Sequence, residues 1–290
     1  VKQRSTARAV ILHLRLPFFF FLSPIYLFAM VAIHAEALRA VAVFFIFHFL
    51  LYPASNGFNS YYDKDEGPIG GLASPPPVTK ALLATALVLD ALALAGAFLL
   101  GPVAGFAVLA YGSFSKLYSW DKTRLKARPW VSWLMVGVGQ GSLSFLAIAA
   151  ASGRAGLSGL GDAVLLCALL QGFFLMGVFP LTQVYQHEED ARRGDLTISR
   201  VLGIRGTFVL AGVFLGLAAT GLTLWIAVFA SPLWSLAFLA SQLPALVYFL
   251  FWARRCFKDP ASANFRSTMV MNVLASGCLN AFLLVLIILR

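Results

Sequence analysis

The chain has 290 residues, 60% hydrophobic and only 12% charged, with a formal net charge of +10 and a mean hydropathy of +0.84. A soluble globular domain carries about 25% charged residues, so most of this chain must face lipid or other apolar helices rather than water. The positive charge does not point to a nucleic-acid partner, because it gathers in short segments between long apolar runs.

A spanning helix needs about 20 mostly apolar residues. Apolar runs punctuated by charge, Pro and Gly predict nine, at 17–33, 40–57, 79–99, 102–118, 130–151, 162–184, 206–230, 232–252 and 267–289. The breaks at Gly101-Pro102 and Ser231-Pro232 each divide a longer apolar stretch. The first run has a basic flank but no small-residue cleavage site, and is expected to be a retained helix rather than a removed signal peptide. The expectation is an all-α polytopic membrane protein, with residues 1–290 forming one integral membrane domain.

With nine spans, one side collects the N-terminus and the loops after spans two, four, six and eight. Of the 22 Lys and Arg residues, all but Arg39, Arg154 and Arg290 fall there. That asymmetry predicts a cell membrane protein with a cytoplasmic N-terminus. Cys167, Cys256 and Cys278 are scattered, lack metal-ligand spacing and imply no disulfide framework. Asp90, in LVLDALALAG, is a mid-span acid, which marks either a functional site or a buried hydrogen-bonded carboxyl. Gln140, Asn272 and Asn280 are expected to line a cavity or to join helices by hydrogen bonds.

Nine of the twelve acids share the basic side, gathered mainly in two stretches, NGFNSYYDKDEGPIGGL (56–72) and TQVYQHEEDARRGDLTISRVLG (182–203). Asn56, Asn59 and Asp63 are spaced three then four apart, and Gln183, Gln186 and Asp190 repeat that spacing. Each set stacks on one face of a helix end, and two such stripes on facing ends would converge. Clustered carboxylates are costly to desolvate unless a cation compensates. Asp, Asn and Gln oxygens suit a hard cation such as Mg²⁺, which bridges carboxylates to phosphate oxygens. Between the two stretches, YSWDKTRLKARP supplies Lys122, Arg124, Lys126 and Arg128, cations of the kind a metal-bound diphosphate requires.

The ordered motifs resemble those of the UbiA superfamily of intramembrane prenyltransferases. Asn59 and Asp63 match the first family motif, in which Gly67 replaces the last Asp. Tyr118 and Lys122 match a Tyr-x-x-x-Lys motif. Asp190, Gly194 and Thr197 match the second acidic motif, in which Gln186 replaces the first Asp. The resemblance covers nearly the whole chain. It implies nine helices around a central cavity, and transfer of a prenyl group from a polyprenyl diphosphate to a lipophilic, commonly aromatic, acceptor within membrane lipid. It assigns Asn59, Asp63, Asp190, Tyr118 and Lys122 to catalysis and Lys122, Arg124 and Lys126 to the diphosphate. Mg²⁺ would be held by Asn59, Asp63 and Asp190, with Gln186, Glu66 and Glu189 as further candidate ligands, and with Asp65 near enough to turn inward. The alternatives are a fold that lost its chemistry and serves as a transporter or assembly factor, and CDP-alcohol phosphotransfer. The Asp-x-x-Asp-Gly-x-x-Ala-Arg signature of the latter is absent.

Overall fold

The computed structural model describes residues 6–33, 35–153 and 156–289. Lys2, Arg4, Arg154 and Arg290, all part of the charge asymmetry, lie outside the described residues. Among the described residues, nine membrane-scale helical segments follow in order: α1 (Thr6–Ala32), α2 (Ala37–Asp63), α3 (Lys80–Leu100), α4 (Pro102–Ser119), α5 (Pro129–Ser152), α6 (Asp162–Leu181), α7 (Ile198–Phe229), α8 (Pro232–Lys258) and α9 (Phe265–Leu289). A short loop helix, His187–Arg193, lies between α6 and α7. Among the described residues, extended pairing is limited to the isolated bridges Ala35–Gly153 and Ile69–Leu72.

Among the described residues, eight segments are long and apolar enough to cross a membrane, and α4 is not one of them. The reason is visible in its two faces. Phe106, Leu109 and Leu117 are exposed, as lipid-facing residues are, whereas Tyr111, Ser115, Tyr118 and Ser119 turn toward an internal cavity. A helix that wets one face needs fewer apolar residues.

Two helices start well before their apolar runs. α1 begins at Thr6 rather than 17, because Val10 and Leu14 pack against Leu82 of α3. It bends at Arg15, a non-glycine residue with φ 50, followed by a turn of 3₁₀ helix with Pro17 in its first turn. α7 starts at Ile198 rather than 206, because Gly203 takes φ 64 and ψ 177 and lets the preceding turn join at a kink. Such a positive φ is open to glycine at little steric cost.

Neighbouring helices in sequence pack on one another, and α9 returns to α1. There Ser23 Oγ donates to Asn280 Oδ1 at 2.9 Å and Asn280 Nδ2 donates to Phe20 O at 3.0 Å, so Asn280 joins helices. α5 meets α6 closely: a Cβ on Gly141 would strike the Gln171 carbonyl oxygen, and one on Gly172 would strike Ser142 Oγ. Small residues at a membrane helix contact permit this approach. α2 and α5 each contain π-helical turns, Ile46–Leu51 and Val136–Leu143, a distortion frequent near functional sites. At the other end of the bundle, Arg39 donates to Ala151 O at 3.0 Å and to Leu100 O at 2.8 Å. It thereby serves carbonyls left open where α5 and α3 end.

Asp90 does not open onto the cavity. It pairs with Lys116 of α4, whose ammonium also lies 5.2 Å from the Phe58 ring centroid. The ion pair therefore braces α3 against α4. Cys167, Cys256 and Cys278 are free thiols.

Candidate active site

A cavity of about 270 Å³ opens at the end of the bundle that carries the acidic and basic loops. Its walls come from residues far apart in sequence. The last turns of α2 contribute Asn56, Asn59 and Asp63, with Asp65 just beyond; α4 contributes Tyr111, Phe114 and Tyr118 at successive turns. Val136, Gly139 and Gln140 come from the π-helical part of α5, and Asn272 from α9. The segment after α6 adds Gln183, Gln186, Asp190, Arg193 and Asp195. Both polar stripes read from helical spacing thus face one space, although the second crosses a chain reversal between Leu181 and His187.

Lys126 stands between the two acidic stretches. Its ammonium bonds Asp63 and lies 3.8 Å from Asp195 Oδ2. Asp195 is also held by Arg124, through Nε at 2.9 Å and Nη2 at 3.0 Å. Such a two-point guanidinium–carboxylate contact fixes orientation as well as charge. Asn59 donates from Nδ2 to Ser119 Oγ at 2.8 Å, so Oδ1 is its atom available to a metal. Gln186 lines the cavity while donating from Nε2 to Pro68 O at 3.3 Å.

Several candidates from the sequence lie elsewhere. Lys122 is exposed, with its ammonium 5.2 Å from the Trp120 ring. Helix α4 ends at Ser119 and Thr123 Oγ1 donates to Leu117 O. The four-residue spacing from Tyr118 to Lys122 therefore spans a turn, not a helix, and only Tyr118 faces inward. Arg124, at φ 38, reaches Asp195 from outside the cavity wall. Glu66 is exposed. Glu189 is buried but faces the loop after α2, not the cavity. Asp65, rather than Glu66, turns inward.

Three charged cavity residues carry no role in the sequence pattern. Arg15 belongs to the basic flank of the first apolar run. Its Nη2 donates to Asn56 O at 3.4 Å, its guanidinium lies 5.5 Å from the Phe18 ring, and its buried Nε has no partner. Among the described residues no carboxylate pairs with it, and nothing in its spacing signals that it folds inward at the bend. Arg193 follows Glu189 and Asp190 by four and three residues on one helix, a spacing that could have revealed it. Asp195 is turned back by Gly194 at φ 74, so that its N–H donates to Asp190 O at 2.9 Å.

The cavity therefore sets four carboxylates (Asp63, Asp65, Asp190 and Asp195) against three cations (Arg15, Lys126 and Arg193). Burial pushes Asp65 up to about 6, with nearby Asp63 adding and Arg193 opposing. Burial likewise pushes Asp190 up to about 6, opposed by the Thr197 hydroxyl at 3.2 Å and reinforced by Asp195. Among the described residues Asp190 has no ion-pair partner, and no three His, Cys, Asp or Glu side chains stand close enough to hold a metal by themselves. The donor set still fits Mg²⁺, which is commonly held by one or two carboxylates together with phosphate oxygens of a ligand.

A family model described as the UbiA prenyltransferase family matches residues 18–275. No curated protein matches the chain. Among solved structures, the apo UbiA homologue from Aeropyrum pernix K1 superposes with a TM-score of 0.71 at 15% identity, covering 93% of this chain and 98% of that one. The Archaeoglobus fulgidus UbiA homologue bound to GPP and Mg²⁺ gives 0.62 at 18% identity, covering 95% and 99%. With DMAPP and Mg²⁺ the same homologue gives 0.64 at 16% identity, again covering 95% and 99%. The shared fold and the family match over most of the chain establish a multi-pass membrane protein that belongs to the UbiA prenyltransferase family.

Proposed function

We propose that this chain transfers a prenyl group from a polyprenyl diphosphate to a lipophilic acceptor, with an aromatic acceptor as the leading class. One observation carries the reading: among the described residues, one cavity is lined both by Arg15, Lys126 and Arg193 with the unpaired Asp190 and by Tyr111, Phe114, Met135, Val136 and Phe179. A diphosphate fits the first set and an isoprenoid the second. A solved relative that holds GPP or DMAPP with Mg²⁺ supports a prenyl diphosphate as the donor class.

In this reading Arg15, Lys126 and Arg193 hold diphosphate oxygens, and Asn59, Asp63 and Asp190 hold the metal, with Asp65 and Gln186 beside them. Bound Mg²⁺ supplies positive charge against the charge that develops on the departing diphosphate. Lys126 and the guanidinium groups supply the same stabilisation from the protein, already oriented before the carbon–oxygen bond breaks. Apolar walls exclude water from the allylic cation, and aromatic faces stabilise it. The acceptor carbon or oxygen then bonds to that cation and loses a proton, so that diphosphate and a proton leave. The concentration of Lys and Arg in the loops at that end supports a cavity mouth facing the cytoplasm.

The test is diphosphate release by the purified protein from donors of ten to fifty carbons, with and without Mg²⁺. Metal-dependent release supports the reading; donor binding without release from any of them supports a carrier instead. A pH dependence follows from Asp65 and Asp190, because protons compete with a divalent cation for their carboxylates. Below pH 6 the Mg²⁺ concentration for half-maximal release should rise by up to about tenfold per pH unit for one linked proton. A half-saturation that stays flat from pH 7 to pH 5 would exclude both carboxylates from the metal.

A further inference from the structure

Gly67 is not required by its backbone, since its φ lies outside the left-handed range. A side chain there would instead meet a neighbouring group. A Cβ on Gly67 would fall well inside 3.0 Å of Glu189 Oε2. The carboxylate that occupies this space arrives from the loop helix His187–Arg193, on the far side of the cavity mouth. Glu189 Oε1 accepts the N–H of Glu66 at 2.9 Å and of Gly67 at 3.3 Å, and lies 3.0 Å from Arg193 Nη2. Arg193 in turn bonds Asp65 Oδ1 through Nη1 at 2.5 Å and Lys64 O through Nη2 at 2.7 Å. The result is a closed ring of contacts running from the 64–67 turn to Glu189, on to Arg193, and back to Asp65.

Only two members of that ring, Asp65 and Arg193, line the cavity. The ring is largely withdrawn from water, with side-chain exposures of 13% for Asp65, 19% for Arg193 and 11% for Glu189. In such surroundings a charged group left without its partner is strongly unfavourable. If Glu189 is removed, Arg193 keeps only Asp65 and a backbone oxygen, and two amides lose their acceptor. We propose that Glu189 is a positioning residue: by taking the space of a side chain at 67, it locks the turn after α2 onto the loop helix and aims Asp65 and Arg193 into the cavity. Its consequence for ligands rests on the prenyl diphosphate reading, with Arg193 aimed at the anion and Asp65 at the cation. The lock itself does not depend on that reading.

The experiment uses the full chain in detergent and two readouts. Amide hydrogen exchange at residues 64–67 is measured without substrate, and binding of geranyl thiodiphosphate with Mg²⁺ is measured separately. Glu189→Ala is expected to speed exchange at 64–67, above all at Glu66 and Gly67, at least tenfold and to weaken binding about tenfold. Glu189→Gln keeps an acceptor for the two amides, so exchange should stay near that of the parent while binding weakens. Gly67→Asp forces two carboxylates together and should weaken binding, whereas Gly67→Asp with Glu189→Ala should recover most of it. A merely structural role would lower thermal stability in all variants without that recovery. Unchanged exchange in Glu189→Ala, or a double variant no tighter than the product of the single effects, overturns the proposal. Should Glu189→Ala not fold, Gly67→Ala introduces the same collision without altering charge, and unchanged exchange at 64–67 overturns it equally. Faster exchange in the variants, in a parent that binds no thiodiphosphate, supports the lock and rejects the prenyl diphosphate reading.

Discussion

Asp190→Asn should reduce Mg²⁺-dependent diphosphate release at least about 100-fold, equivalent to about 2.7 kcal/mol of transition-state stabilisation. Asn keeps the size of the side chain and an acceptor for the Thr197 hydroxyl, and removes only the charge. Asp190 is the cavity acid with no ion-pair partner among the described residues, which leaves its charge free for a metal. Stability should move the other way. Burial raises its pKa to about 6, above the roughly 3.9 of an unfolded chain. A raised carboxyl favours the folded state below the unfolded value, and that advantage is lost as pH rises through about 6. At pH 7.5 the neutral amide should therefore leave thermal stability unchanged or higher. A folded variant that releases diphosphate at the parent rate would remove Asp190 from the metal site.

Lys126→Ala is expected to weaken donor binding by about 100-fold, while Lys122→Ala changes it by less than about twofold. The two residues lie four positions apart in one basic loop but meet different surroundings. Lys126 contacts Asp63 and approaches Asp195 across the cavity, where a diphosphate would compete for the same ammonium. Lys122 sits over Trp120 in solvent, where screening leaves an exposed charge little influence. Removing Lys126 also leaves Asp63 without its cation, so some loss of stability should accompany it. Thermal unfolding with and without Mg²⁺ separates that cost from the binding defect, because added metal should restore stability but not donor affinity. Equal losses for Lys122→Ala and Lys126→Ala would mean that the loop acts through its overall charge alone.

Much of the site was legible because it is carried by helix ends. A spacing of three and four residues survives folding wherever the helix continues, so Asn56, Asn59 and Asp63 face one direction. The spacing fails where the helix stops. Tyr118 and Lys122 share a motif, yet the turn after Ser119 sends them apart. Asp65 and Glu66 are adjacent acids after α2, and nothing in their order says which turns inward. That choice belongs to Arg193, 128 residues from Asp65, and to Glu189, which holds the Glu66 amide.

By itself the sequence determined that this is a membrane protein of many helices, which of its ends bears the charge, and which family it resembles. Those properties follow from length, apolarity and local order, and they do not depend on where distant segments meet. Tertiary structure decided which charges are partners. It folded Arg15 inward at a bend, paired Asp90 with Lys116, and set Glu189 where a side chain at 67 would stand. The physical reason is that a charge inside an apolar bundle is tolerated only beside its counter-charge or a hydrogen-bonding group. The identity of that partner is settled by packing between helices far apart in the chain, which no local pattern records.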